Sequence, residues 1–200
     1  MKAPQNQVDY LKFIAIETAR TAWPGSMMRG EKQVLRKGAK QATEGFFRDK
    51  FPMQDLWMSA DSIGKEFDGW HRKVCADLAE VIGPLMGAKR NTKDAVAAKL
   101  MDTFMHQQMK MEPVRVLWPS LHLPLDRRVF DALAKRHIKF VGKERIVEIL
   151  KKPPYSISRE EYEKIQQSLW GLLETMPQSS EGGPRWKSRI ELNWLWVGQI

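Results

Sequence analysis

Cys75 is the only cysteine in the 200 residues. The chain's own thiols can therefore build no intramolecular disulfide, cysteine zinc cluster or cysteine-ligated iron-sulfur centre. No apolar run approaches the length of about 20 residues that spans a bilayer. The N-terminus has no hydrophobic core behind a basic segment. The expectation is a cytoplasmic protein, neither secreted nor membrane-spanning. Alternating apolar and polar residues are almost absent, and no internal repeat or low-complexity segment is visible. Together these exclude a sheet-built or solenoid fold and leave an all-α one, a compact bundle of about eight helices. The four histidines, His71, His106, His122 and His137, form no ligand pair at helical spacing. The expectation is no metal and no cofactor. Two short resemblances to catalytic motifs, GSMMRGEK at 25–32 and Ser62-Ile-Gly-Lys65, lack the flanking strand or companion motifs that their chemistry needs.

Positive charge is in excess. Lysine and arginine number 33 against 24 acidic residues, a net charge of +9. The balance favours a polyanionic partner, nucleic acid first, without identifying it. Residues 7–22 carry apolar positions at helical spacing and stop at Trp23-Pro24-Gly25. Residues 29–50 read as a second helix, interrupted, with Arg29, Lys32, Arg36, Lys37 and Lys40 on a cationic side. Residues 51–83 predict a short helix around Trp57 and a longer one from about Ile63 to Ile82. Trp57, Phe67, Trp70 and His71 are dense enough there to line a pocket that stacks an extruded base, although an aromatic stripe at helical spacing is more often core.

The centre of the chain is residues 91–139, which read as helix, loop, helix. Asn91 is the expected N-cap and Asp94 lies in the first turn of a helix running to about Lys110. Its buried face is Val96, Ala97, Leu100, Met101, Phe104 and Met105; Lys99, Thr103, His106 and Lys110 share another. LHLPLD, Leu121 to Asp126, leads into a second helix with Asp126 at or near the N-cap and Val129, Phe130 and Leu133 inward, extended by His137. Gly142 to Leu150 predicts a short helix closed by Pro153-Pro154. Ser158 and Glu161 form a capping box ahead of a helix burying Tyr162, Ile165, Leu169, Leu172 and Leu173. QSSEGGP, 178–184, is the best linker, so the expected organisation is one two-lobed helical domain over 1–177 and a tryptophan-rich tail over 178–200 that packs on it.

A lysine on one helix followed by an apolar, proline-containing approach to an aspartate at the next helix start resembles the helix-hairpin-helix DNA glycosylases. In that family the approach reads roughly proline, valine, aspartate, with an aromatic four residues on; here it is Pro124, Leu125, Asp126 and Phe130. The similarity is closest to the archaeal 8-oxoguanine glycosylase branch and covers roughly residues 66 to 175. GPLMGAKRNTK, 83–93, stands where the family has its glycine-bounded hairpin, with a longer turn.

The resemblance implies a helix-hairpin-helix-like core and excision of a modified base from flipped-out DNA, in repair or in defence against phage with modified DNA. It matches Lys99 to the nucleophilic lysine, with Lys93 as its rival, and Asp126 to the essential carboxylate. A Schiff-base lyase step follows if the lysine attacks, and water is the other candidate nucleophile. Arg127, Arg128, Lys89, Arg90, Lys93, Arg36 and Lys37 are the expected DNA contacts, the arginine pair because a helix N-terminus can share a phosphate with it. The expected partner is DNA and the expected state a monomer. The competing class is a non-catalytic, basic helical protein that binds nucleic acid.

Overall fold

The computed structural model describes residues 9, 10, 12–15, 17, 19, 34–87, 92–108, 112–135, 148–175, 188, 189 and 192. Among them the chain is all-α, and the only extended pairing is an isolated bridge between Leu35 and Met86. The helices are α1 (Ala39–Asp49), α2 (Met53–Met58), α3 (Ala60–Lys65), α4 (Phe67–Ile82), α5 (Lys93–Gln108), α6 (Glu112–Arg115), α7 (Arg127–Lys135) and α8 (Arg159–Thr175). Short 3-10 turns occupy Gly83–Leu85, Trp118–Ser120 and Pro154–Ser156. Ahead of α1, the described residues between 9 and 19 are helical, and Ala15 and Ala19 are buried. No helix among the described residues is long and apolar enough to cross a membrane.

α5 is the axis of the fold. It packs along α4 and also touches α8 and the Pro154–Ser156 turn. The sequence predicts one buried face, yet α5 is enclosed nearly all round: Ala95 through Ala98, Leu100, Met101, Phe104 and Met105 are buried, and so are Asp102 and Gln108. Alanine at three of the first six positions lets neighbouring backbones come close, so the helix buries its flanks as well as its stripe. Phe104 stacks on Phe47 of α1 with centroids 3.8 Å apart and meets the Phe51 ring edge-on at 4.9 Å. These aromatic contacts fasten α1 to the axis.

Several boundaries differ from the sequence reading. Thr92 starts α5, since its Oγ1 accepts the Ala95 amide and its carbonyl accepts that of Val96; Asn91 lies outside the described residues. The same Thr92 hydroxyl donates to the Ile157 carbonyl at 2.6 Å, which ties the helix start to the approach to α8. Of the predicted second helix, residues 29–33, with Arg29 and Lys32, lie outside the described residues, and the described part is helical from Ala39. Gly38 before it has φ +93°, a left-handed conformation, and residues 34–36 run instead beside Leu85 to Gly87. The helix predicted over 63–82 is two, α3 and α4, broken at Glu66. Tertiary contacts hold that break: Ser120 Oγ donates to the Gly64 carbonyl, and Leu117 lies so close to Gly64 that a side chain there would meet it at 3.3 Å.

Other local expectations stand as read. Asp126 caps α7, its Oδ1 accepting the Val129 amide at 3.0 Å. Val129, Phe130 and Leu133 face inward, while His137 lies outside the described residues. Ser158 and Glu161 exchange the two hydrogen bonds of a capping box, and Tyr162, Ile165, Leu169 and Leu173 are buried along α8. Residues 148–150 are helical, with Ile149 and Leu150 inward.

Candidate functional site

Lys99 projects from the middle of α5, two turns after its start, and its side chain is only 11% exposed. Its Nζ lies 3.4 Å from Asp126 Oδ2. Asp126 thus divides its carboxylate, one oxygen holding the α7 amide and the other facing the lysine. The rigid proline-containing approach and the cap fix the carboxylate against α5. Lys93 stands six residues earlier on α5, a rise of about 9 Å. Its ammonium pairs with Glu80 of α4, and that hydrogen bond raises its pKa. Of the two candidate lysines, Lys99 is the one beside Asp126.

The other expected residues are spread more widely. Arg127 and Arg128 are exposed at the start of α7, and Arg127 Nε lies 2.9 Å from Asp131 one turn on. Arg36 and Lys37 are exposed in the turn before α1. Lys89 and Arg90 lie outside the described residues. Phe67 and His71 are buried in the core, with Trp57 and Trp70 half-buried against it. No ring contact joins Trp57 to the other three. Phe67 packs against Trp70, His71 and His122, so neither it nor His71 offers an open ring face to a stacking base. Phe67 does border a cleft of about 300 Å³ that it shares with Asp68, Trp170 and Arg189.

What the sequence did not reveal is a buried polar chain behind the lysine-aspartate pair. Asp102, one turn after Lys99 on α5, is 2% exposed. Its Oδ1 lies 2.8 Å from His71 Nε2, and its Oδ2 accepts the Tyr162 hydroxyl at 2.7 Å. Tyr162 Oη is also 2.8 Å from His122 Nδ1, and His122 Nε2 is 2.7 Å from Asp68 Oδ1. Arg189 ends the chain, donating to the Ser120 and Leu121 carbonyls and reaching Asp68 at 3.4 Å. Cys75 Sγ sits 3.5 Å from His71 Nε2. His71 and His122, 51 residues apart in sequence, have ring centroids 4.2 Å apart, and with Asp102 they form a group able to hold a metal ion. No pair on a single helix was expected, and this one spans two elements. The pair comes from α4 and the LHLPLD loop, not from one helix.

This environment separates the two rings electrostatically. Burial opposes a charge on His71, but the Cys75 sulfur and the Asp102 carboxylate outweigh it and hold its pKa at about 9. Burial and the facing His71 push His122 down to about 3. A hydrogen bond from His122 holds the Asp68 carboxyl well below the usual carboxylate range. Burial and the Asp102 charge push the Tyr162 phenol up.

No protein family, curated protein or solved structure matches this chain.

Proposed function

We propose that the protein is a DNA glycosylase that removes a modified base from DNA, with Lys99 and Asp126 as its catalytic residues. The observation that carries this reading is the pairing itself. A poorly exposed lysine on the central helix faces, at 3.4 Å, a carboxylate locked at a helix start. Cleavage of an N-glycosidic bond builds positive charge on the sugar, and a fixed carboxylate stabilises it without reorganising. Attack on the sugar carbon by an amine requires the uncharged form, and Asp126 is within reach to take the ammonium proton and return it. The net charge of +9 and the exposed Arg127 and Arg128 beside the site supply a track for the phosphate backbone.

Borohydride trapping on DNA carrying oxidised, alkylated or phage-type bases tests the assignment. A covalent protein-DNA adduct lost in Lys99→Gln and kept in Lys93→Gln is the expected result. The reverse moves the role to Lys93. Base release without any adduct makes water the nucleophile and leaves Asp126 alone in its role. No release from any of these substrates, with DNA bound tightly, would replace the enzyme with a nucleic-acid-binding protein.

A further inference from the structure

We propose that His71, Asp102 and His122 form a buried site for one divalent transition-metal ion of the zinc type, held between α4, α5 and the loop before α7. The three side chains are 0%, 2% and 4% exposed, and their ligand atoms all lie within 4.8 Å of one another. Two imidazoles and a carboxylate are a ligand set suited to such an ion.

The count of hydrogens points to a missing cation. Four contacts join the chain: His71 to Asp102, Asp102 to Tyr162, Tyr162 to His122, and His122 to Asp68. Each needs one hydrogen. Ionised carboxylates, neutral imidazoles and one phenol supply three. A second hydrogen on His71 would sit on Nδ1, which faces Cys75 at 3.7 Å and serves none of the four. If His122 donates from Nε2 to Asp68, its Nδ1 lone pair points at Tyr162, whose single hydrogen cannot serve both His122 and Asp102.

A metal ion closes this gap. Bound to His71 Nε2, Asp102 Oδ1 and His122 Nδ1, it would take the Nε2 lone pair of His71 as that ring's one hydrogen moves to Nδ1, where it faces the Cys75 sulfur at 3.7 Å. Tyr162 Oη, which now faces His122 Nδ1 at 2.8 Å, would draw back from the ion and keep its donation to Asp102 Oδ2, while His122 Nε2 donates to Asp68, so every remaining contact has its hydrogen. Asp68 thereby occupies the place of the outer carboxylate that orients a ligating histidine. Metal-to-ligand distances of about 2.0–2.2 Å require ligand atoms roughly 3.3 Å apart, so His71 Nε2 and Asp102 Oδ1 must separate by on the order of half an ångström. An added proton could fill the gap instead. It would put an imidazolium at His122, 4.2 Å from the His71 ring, whereas a metal ion takes one lone pair from each neutral ring and sets its charge against the Asp102 carboxylate.

The test uses the full chain, stripped with a chelator and titrated with Zn²⁺ against a chromophoric competitor, with metal content and Tm read in parallel. The expected result is one Zn²⁺ per chain, a Tm that rises on loading, and the visible absorption bands of protein-bound Co²⁺ when Co²⁺ replaces Zn²⁺. His122→Gln should abolish uptake. Should that variant fail to fold, Asp68→Asn serves instead: the Asp68 side chain is 61% exposed, so the fold tolerates the change, and affinity should fall about 10–100-fold. Folded parent protein that takes up no zinc and shows no zinc-dependent Tm would make the missing cation a proton and overturn the site. Zinc bound as tightly by Asp68→Asn and His122→Gln as by the parent would place it elsewhere and overturn it equally.

Discussion

Asp126 performs two tasks with two oxygens, and substitution can separate them. Asparagine caps a helix about as well as aspartate but carries no charge, so Asp126→Asn should keep the α7 start and lose the partner of Lys99. We expect stability within about 1 kcal/mol of the parent by urea unfolding and a large loss of base release. Asp126→Ala should lose a further ~1 kcal/mol through the cap. Base release by Asp126→Asn at the parental rate on every active substrate would remove Asp126 from catalysis. Residues whose roles are local were legible before folding: Asp126 as cap and Ser158 with Glu161 as capping box depend on partners three residues away. Asp102 was not. Its partners His71 and Tyr162 lie 31 and 60 residues distant, and it belonged to neither face that periodicity picks out on the helix.

At the scale of elements, α5 shows where periodicity misleads. A helix enclosed by neighbours on several sides needs small residues on its flanks, and of the buried Ala95, Ala97 and Ala98 only Ala97 belonged to the face that periodicity marks as buried. Ala98 is fully buried, so Ala98→Leu should overpack the core and cost about 1–3 kcal/mol, seen as a lower denaturation midpoint with an unchanged m-value. An unaffected midpoint would mean that the flank has room to spare. The start of α1 makes a complementary case. A Cβ on Gly38 would meet nothing within 4 Å, so only its φ of +93° is at stake. Gly38→Ala should cost about 1–2 kcal/mol through backbone strain alone. Parental stability in that variant would show that α1 can be entered by another path. The break between α3 and α4 had no sequence signal, because Leu117 and Ser120, remote in the chain, impose it.

For the whole molecule, composition carries most of what concerns partners. An excess of nine positive charges predicts salt-sensitive binding to DNA. Replacing Arg127 and Arg128 together with glutamine should weaken binding to all sequences alike and lower the salt-dependence slope by about one to two. The Arg127–Asp131 pair puts the expectation toward the lower figure. An unchanged slope in the folded double variant would move the DNA track toward Arg36 and Lys37. The three described tail residues, Ser188, Arg189 and Leu192, are buried, and Arg189 lies over the Trp170 ring at 4.9 Å. What holds these residues was not legible, because the anchor is a buried arginine, which pattern reading assigns to solvent.

The burial of the chain's single thiol turns it into a clock. Cys75 is 1% exposed between α4 and the core, so a thiol-reactive dye can reach it only while that core is open. The labelling rate relative to the denatured chain then measures the open fraction directly, with no denaturant and no second cysteine to remove. If α4 opens only with global unfolding, a stability of about 5–15 kcal/mol slows labelling by at least roughly a thousandfold. Faster labelling would reveal that α4 parts from α5 on its own, giving solvent a path to His71 and Asp102 while the rest of the molecule stays folded.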